Sequence, residues 1–438
     1  MPSRPRTASL AGAPFCAIDF GTSNSAIALP EGAADRVALV EVEPGQRTMP
    51  TAVFYTLEGT APHEDPHRLY GRPALAAYME GVDGRLMRSM KSVLGSSLVE
   101  QSTEVGGGRS VRFLDIIAGY LRHLKSLAEA QAGAPLRRAV LGRPVFFVDG
   151  DPERDAQAQA ALASAAHQVG FQEISFQFEP IAAALDFEAT ADREQLVLVA
   201  DIGGGTSDFS LVRVGPERRQ RVDRSSDILA SHGVHVAGTD FDRHVELAAI
   251  LPLAGFRARG PAPAEREVPS KVYYDLATWH LINTVYTPAR VMELRRMRTF
   301  YADPLLHARL MTIVEQRLGH GLMAGAEAAK IAVAEGRDAR IALDELEDGL
   351  QAALDERQAM AAMEADLQRI VDAGLETVRQ AGVAPGQVEV VYLTGGSTGL
   401  APLATRIAAP YANARTVRGD RLASVAQGLG LHAQRVFR

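Results

Sequence analysis

Short apolar runs bounded by glycine alternate along this chain with longer stretches of helical period. In residues 15–29 an apolar run ends in Asp19, turns at Gly21 and resumes through Ala26-Ile27-Ala28-Leu29. Runs of this length closed by glycine predict strands, so the unit reads as a hairpin. Residues 196–214 repeat the pattern, with Asp201 at the end of the first run and Gly203-Gly204-Gly205 at the turn. The first turn continues as Thr22-Ser23-Asn24 and the second as Thr206-Ser207-Asp208. An aspartate at the same offset in both copies points to a duplicated lobe. A third run, 388–393, enters Thr394-Gly395-Gly396-Ser397-Thr398, and a helix is expected after it.

Residues 152–169 are alanine-rich and helical, and 355–381 predict a long helix stopped by Gly382 and Pro385. Pro252, Pro261, Pro263 and Pro269 make 250–270 a loop or linker. Residues 271–335 read as largely helical and carry Tyr273, Tyr274, Trp279 and Tyr286. Residues 101–110, with Gly106-Gly107-Gly108, read as a mobile surface loop. Strands interleaved with helices predict α/β lobes.

At 438 residues the chain exceeds what one core usually fills, so two or more lobes are expected. Apolar residues at 47% and charged residues at 23% are those of a soluble globular protein. A net charge of −7 argues against a nucleic-acid-binding surface as the main function. Cys16 is the sole cysteine, which excludes an internal disulfide or a thiolate metal cluster and makes the cytoplasm the expected compartment. No window approaches the about 20 apolar residues of a membrane helix. Arg4 and Arg6 precede a mildly apolar stretch, but Gly12 and Pro14 interrupt it, so residues 1–13 read as a flexible tail.

The glycine turns suggest chemistry. Without a Cβ, backbone N–H groups approach phosphate oxygens closely, and Thr and Ser hydroxyls add donors. A carboxylate beside phosphate needs a cation between them, and Mg²⁺, which prefers oxygen ligands, suits Asp19 and Asp201. The plainer alternative is that these are ordinary turns ending strands. Neither G-x-x-x-x-G-K-[ST] nor a post-strand G-x-G-x-x-G occurs.

These motifs resemble the ATPase domain of the heat-shock protein 70 (DnaK-type) family, within the actin-like ATPase superfamily. Ile18 to Ser25 resembles its first phosphate motif, Asp201 to Asp208 the second, and Thr394 to Thr398 its adenosine motif. Phe178-Glu179-Pro180-Ile181-Ala182-Ala183-Ala184-Leu185 resembles the first connecting helix. Arg47 to Thr51, Gly71 to Ala74, Lys91 to Gly95 and Ala237 to Asp242 are weaker matches in the same order.

The resemblance implies an α/β, two-lobed actin-like ATPase fold of duplicated ribonuclease H-like lobes, with a helical insertion in the second. Lobe I would span 14–195. Lobe II would span 196–395, including a helical subdomain at about 243–340, and 396–438 would cross back to lobe I. The implied ligands are ATP or ADP and Mg²⁺. Asp19 and Asp201 would hold the metal through its waters. Thr22, Ser23, Gly204, Gly205 and Thr206 would cradle phosphates, with Gly21, Asn24 and Gly203 in the same loops and Ser397 in the third. Gly238, Gly395 and Gly396 would make backbone contacts to phosphate or ribose, and Glu327 and Lys330 would reach the adenosine. Lys91, Glu179, Asp201 and Thr206 would be catalytic, Lys91 beside the γ-phosphate and Glu179 orienting water. Simpler roles stay open: Glu179 as a helix N-terminal acid before Pro180, Lys91 as a surface lysine, and Glu327 with Lys330 as an i,i+3 pair.

Two small-residue helices, one holding Ala182-Ala183-Ala184 and one Ala426 and Gly430, would cross closely at a hinge between lobes. Departures from the family limit the reading. Gly399 stands where the family carries an adenine-stacking arginine, and Ile331 and Ala334 replace polar adenosine contacts. The chain ends at Arg438, so no peptide-binding domain is expected, as in the truncated YegD-like group. The aromatic run 273–286 is either a partner-docking surface or packed core. A chaperone-like ATP switch with a protein partner or client is the leading expectation. A small-molecule kinase or an actin-like filament protein of the same superfamily are the alternatives.

Overall fold

The computed structural model describes residues 14–31, 36–57, 64–148, 150–419 and 424–437, apart from the side chain of Asp186. The tail expected over 1–13 lies outside the described residues. In the first half, β1 (Phe15–Phe20), β2 (Asn24–Pro30) and β3 (Val37–Leu39) form an antiparallel meander, with β4 (Met49–Pro50) added to β2. A three-stranded sheet follows from β5 (Ala52–Thr56), β6 (His67–Tyr70) and β7 (Gly84–Arg88), with α1 (Gly71–Met79) packed on β5. After the hairpin β8 (Ser102–Gly106) and β9 (Arg109–Arg112) come α2 (Phe113–Ala132), β10 (Arg138–Arg143), α3 (Pro152–Gln168), β11 (Glu173–Phe178) and α4 (Glu179–Ala189).

The second half opens with β12 (Gln195–Ile202) and β13 (Ser207–Val214), then α5 (Pro216–Arg219), β14 (Ile228–Val234) and α6 (Gly238–Val245). The short helices α7 (Lys271–Leu276), α8 (Ile282–Val285) and α9 (Pro288–Arg296) lead to α10 (Pro304–Glu315) and α11 (Gly319–Ala334). The hairpin β15 (Ala339–Ala342) and β16 (Gln351–Leu354), the long α12 (Glu356–Gln380), β17 (Val390–Thr394), α13 (Ala401–Ala408), β18 (Arg415–Arg418) and α14 (Ser424–Phe437) complete the chain.

The two main sheets share one topology. The first runs β11-β10-β1-β2-β3 and the second β18-β17-β12-β13-β14. In each, the hairpin's first strand pairs antiparallel with its own partner and parallel with a later strand. Strand periodicity divides their side chains between two faces. Cys16, Ile18 and Phe20 join a core with α2 and α3, whereas Phe15 and Ala17 face the opposite way. Leu198, Ala200 and Ile202 pack towards α12, whereas Val197 and Val199 meet the same core as Phe15 and Ala17. That shared core holds α4 and α14.

The helices cross where backbones touch. A Cβ on Gly428 of α14 would overlap the Ala182 carbonyl of α4. Gly430, expected at this crossing, instead faces Val37 and Ala28 of the first sheet. Small residues at 426, 428 and 430 were visible in the sequence, but not which way each faces.

One further expectation is corrected, and of the two readings of the aromatic run the packed core holds. Residues 101–110 are a hairpin rather than a mobile loop: Val105 is fully buried, and Gly106, Gly107 and Gly108 make the turn with positive φ. The aromatic run is chiefly packing rather than a docking face. Tyr273 is buried and its hydroxyl donates to the Ala254 carbonyl at 2.8 Å, while Tyr286 Oη accepts from the Gly319 N–H at 2.8 Å. The 250–270 segment is irregular as expected, yet Leu251, Ala254, Phe256 and Val268 anchor it in the core.

Candidate functional site

A cavity of about 1290 Å³ is lined by the β1–β2 and β12–β13 turns, the N-terminal ends of α4 and α6, α11 and the segment after β17. Every residue nominated from the sequence lines it. The two hairpin turns face each other: a Cβ on Gly204 would stand 2.9 Å from Ser23 Oγ. Gly205 has nothing within 4 Å of where its Cβ would be, leaving its backbone open to the cavity.

The second turn is fastened from behind. The Gly203 N–H donates to Thr206 O at 2.9 Å, and Ser397 Oγ donates to Gly203 O at 2.8 Å. The Thr239 N–H and hydroxyl both donate to Gly204 O, each at 2.8 Å. Gly395 has φ +85°, and a Cβ there would overlap the Ile202 backbone and stand 2.5 Å from Asp201 Oδ1. Only glycine lets the strand-end loop come so close to the carboxylate. At Gly21 a side chain would overlap the Asn24 carbonyl, and at Gly238 it would press on Ser397 Oγ at 2.5 Å.

Behind the loops is a concentration of negative charge. Withdrawal from water, reinforced by Glu179, raises the Asp19 carboxyl to about 8. Withdrawal from water, reinforced by Asp208 and Glu179, raises Asp201 to about 7. Lys91 Nζ donates to Glu179 Oε1 at 2.5 Å, so neither simpler reading accounts for the pair, although Glu179 does open α4 with Pro180 behind it. Burial lowers the Lys91 pKa, but Glu179 and Asp19 outweigh that and raise it overall. Lys91 lies on a 3-10 turn, Met90–Val93, entered through Ser89 at φ +53°. Such a left-handed non-glycine residue is a local strain that the surrounding fold must hold.

The sequence reading gave Asp208 no role, yet it joins this group. It lies directly across the hairpin from Asp201, and Thr206 Oγ1 donates to its Oδ2 at 2.8 Å. The signal was available: a tight turn between 201 and 208 makes them cross-strand partners. Four carboxylates against one lysine favour a cation. Among the described residues no group of three or more His, Cys, Asp or Glu side chains closes round a metal, so an ion here would draw ligands from water and from a bound anion.

The far end of the cavity has a different character. Lys330 reaches Asp242 Oδ1 at 2.6 Å and the Gly238 carbonyl at 3.3 Å rather than pairing with Glu327. Burial, opposed by Lys330, raises Asp242 to about 6. Ile331 and Ala334 of α11 line this region together with Gly399 and Leu400, and Ile331 is 47% exposed.

The family model described as Hsp70 protein matches residues 15–247. Over 232 residues the chain is 31% identical to "Chaperone protein DnaK" of Thermotoga neapolitana, an alignment covering 52% of this chain and 34% of that relative. The matched stretch therefore spans about a third of the relative's length. The family match contains both hairpins, Lys91, Glu179 and Gly238, whereas Glu327, Lys330 and the 395–397 loop lie beyond it. Among the described residues no helix is long and apolar enough to cross a membrane.

Proposed function

This chain belongs to the Hsp70 protein family, whose fold is that of the actin-like ATPases, and from that premise we propose that it is a magnesium-dependent ATPase acting as a chaperone-like switch. Each main sheet with its helices would be one lobe, and the helices between residues 243 and 340 an insertion in the second. The single observation that carries the reading is the apposition of the two glycine turns, Ser23 against Gly204, with raised-pKa carboxylates behind both. Two separate hairpins supply N–H and hydroxyl donors to one space, which suits a polyphosphate held from opposite sides.

The residues suit a bound Mg²⁺. Asp19 and Asp201 are withdrawn from water and lack a cation of their own beyond the shared Lys91. When bound, the ion would supply positive charge between these carboxylates and the phosphates. Thr22, Ser23, Gly204, Gly205 and Thr206 would hold phosphate oxygens. Lys91 would offset charge as the terminal phosphate leaves, and Glu179, fixed by Lys91, would orient the attacking water. The relative's name, a chaperone protein, motivates the further proposal that closure of the cavity is read by a protein partner or client.

Calorimetric titration of the full chain with ATP and ADP, with and without Mg²⁺, tests this. We expect Mg²⁺-dependent binding that Asp201→Ala abolishes; wild-type binding and turnover in that variant would sink the site. Lys91→Ala should retain binding within a fewfold and lose about 10²–10³ in single-turnover hydrolysis, the range for removing one charge-stabilising donor.

A further inference from the structure

We infer that Arg418 is the side chain that holds the base of the nucleotide, stacked on its face from the tip of β18. This inference rests on the nucleotide reading above and names how the far end of the same cavity would be used. Among the described residues the cavity presents three Lys or Arg side chains: Lys91, Lys330 and Arg418. Lys91 is committed to Glu179 at 2.5 Å and Lys330 to Asp242 at 2.6 Å. Arg418 is exposed and makes no ion pair among the described residues, so its guanidinium is available to a ligand.

The sheet fixes where that guanidinium starts. β12, β17 and β18 are neighbours in that order, with Ala200 opposite Leu393 and Leu393 opposite Arg418. The Gly419 N–H donates to Leu393 O at 3.0 Å and pins the end of β18. Strands spaced about 4.8 Å apart set Arg418 about 10 Å from the Asp201 strand tip, one strand beyond the Gly395 loop. A ligand whose phosphates lie between the glycine turns would extend past Gly395 towards Arg418.

The rest of the lining bears on the kind of contact. Ile331, Ala334, Gly399 and Leu400 line the cavity without a side-chain donor or acceptor, while Glu327 and Lys330 of α11 and Glu335 just after it line it as well and Lys330 is engaged by Asp242. Against the apolar members of this lining a base is gripped by its faces. A planar guanidinium over an aromatic face is the polar interaction that fits, and a lysine is a poor substitute for it.

Calorimetry with two probes, Mg-ADP and Mg-pyrophosphate, tests this on the full chain. Arg418→Ala should weaken ADP about three- to thirtyfold and leave pyrophosphate unchanged, because only ADP carries a base. Arg418→Lys should recover a part of the loss, and matching melting curves show that the exposed substitution leaves the fold intact. Unchanged ADP affinity in Arg418→Ala overturns the inference. So does an equal loss for pyrophosphate, which would make Arg418 a phosphate ligand. Wild-type protein that binds pyrophosphate but not ADP removes the base site and leaves the phosphate loops standing. Binding of neither removes the nucleotide reading itself.

Discussion

Asp19 and Asp201 are carboxylates whose surroundings oppose their own charge. Withdrawal from water comes first, and Glu179 adds to it at both; Asp201 further burdens Asp19, and Asp208 burdens Asp201, while Lys91 relieves each in part. A free carboxyl titrates near 4, whereas these reach about 8 and about 7 in the folded chain. The native state therefore binds more protons than the unfolded state between pH 4 and 8, and stability falls as pH rises through that window. Metal-free protein should melt at a higher temperature at pH 6 than at pH 8.5. Asp19→Asn with Asp201→Asn should flatten that slope and raise the melting temperature at pH 8.5. Mg-nucleotide should reverse the trend if, as proposed, its ion is held by the ionised carboxylates. Scanning calorimetry at the two pH values decides it: a metal-free melting temperature independent of pH, or a slope as steep in the double variant as in the parent, would contradict this account. The remainder of the slope belongs to Asp208, Asp242 and Glu246, which burial also raises.

At the scale of elements, the decisive contact is between α4 and α14. α4 starts at Glu179 in the cavity and carries Ala182 in the shared core, so its position transmits directly to the site. Gly428→Val forces the two backbones apart, since even a Cβ would overlap the Ala182 carbonyl. Overpacking of this kind costs about 1–3 kcal/mol, and denaturant unfolding should show the loss. Gly321→Ala in α11 is the matched control. It meets nothing within 4 Å and should be neutral or slightly stabilising. If the two variants unfold alike, the helix crossing is not tight. The same contrast separates what was legible in the sequence from what was not. The hairpins at Asp19 and Asp201 were readable because glycine and strand period are local signals. The β8–β9 hairpin was missed because its strands are short and half polar, with Val105 the sole fully buried residue. The preference of Lys330 for Asp242 over Glu327 depends on α6 packing against α11, which no local spacing reveals. The matching order of the two sheets was only half visible, since β10, β11, β17 and β18 carry no shared motif.

Across the whole molecule, the two halves meet a second time away from α4 and α14. Tyr78 of α1 and Arg88 at the end of β7 come from the first half. They meet Trp279, which stacks on Tyr78 at 4.9 Å and lies beneath the Arg88 guanidinium at 4.1 Å. His320 of α11 packs edge-on against both rings at 5.1 and 5.4 Å, and its Nε2 is hydrogen-bonded to Asn283 Oδ1 at 3.2 Å. A ligand enclosed between the halves leaves more readily if this contact opens, and opening it sacrifices the cation–π and stacking energy together. A cation–π contact contributes about 0.5–2 kcal/mol, so Arg88→Ala should speed ADP release about two- to thirtyfold. The chain has a single tryptophan, so its emission reports this contact directly. Trp279 fluorescence should shift to the red when nucleotide is removed, and in Arg88→Ala it should already be red-shifted with ADP bound. Stopped-flow release of ADP measured alongside the emission separates the outcomes. A spectrum indifferent to nucleotide, with release unchanged in Arg88→Ala, would mean that the halves hold one fixed arrangement and that any switch lies elsewhere in the chain.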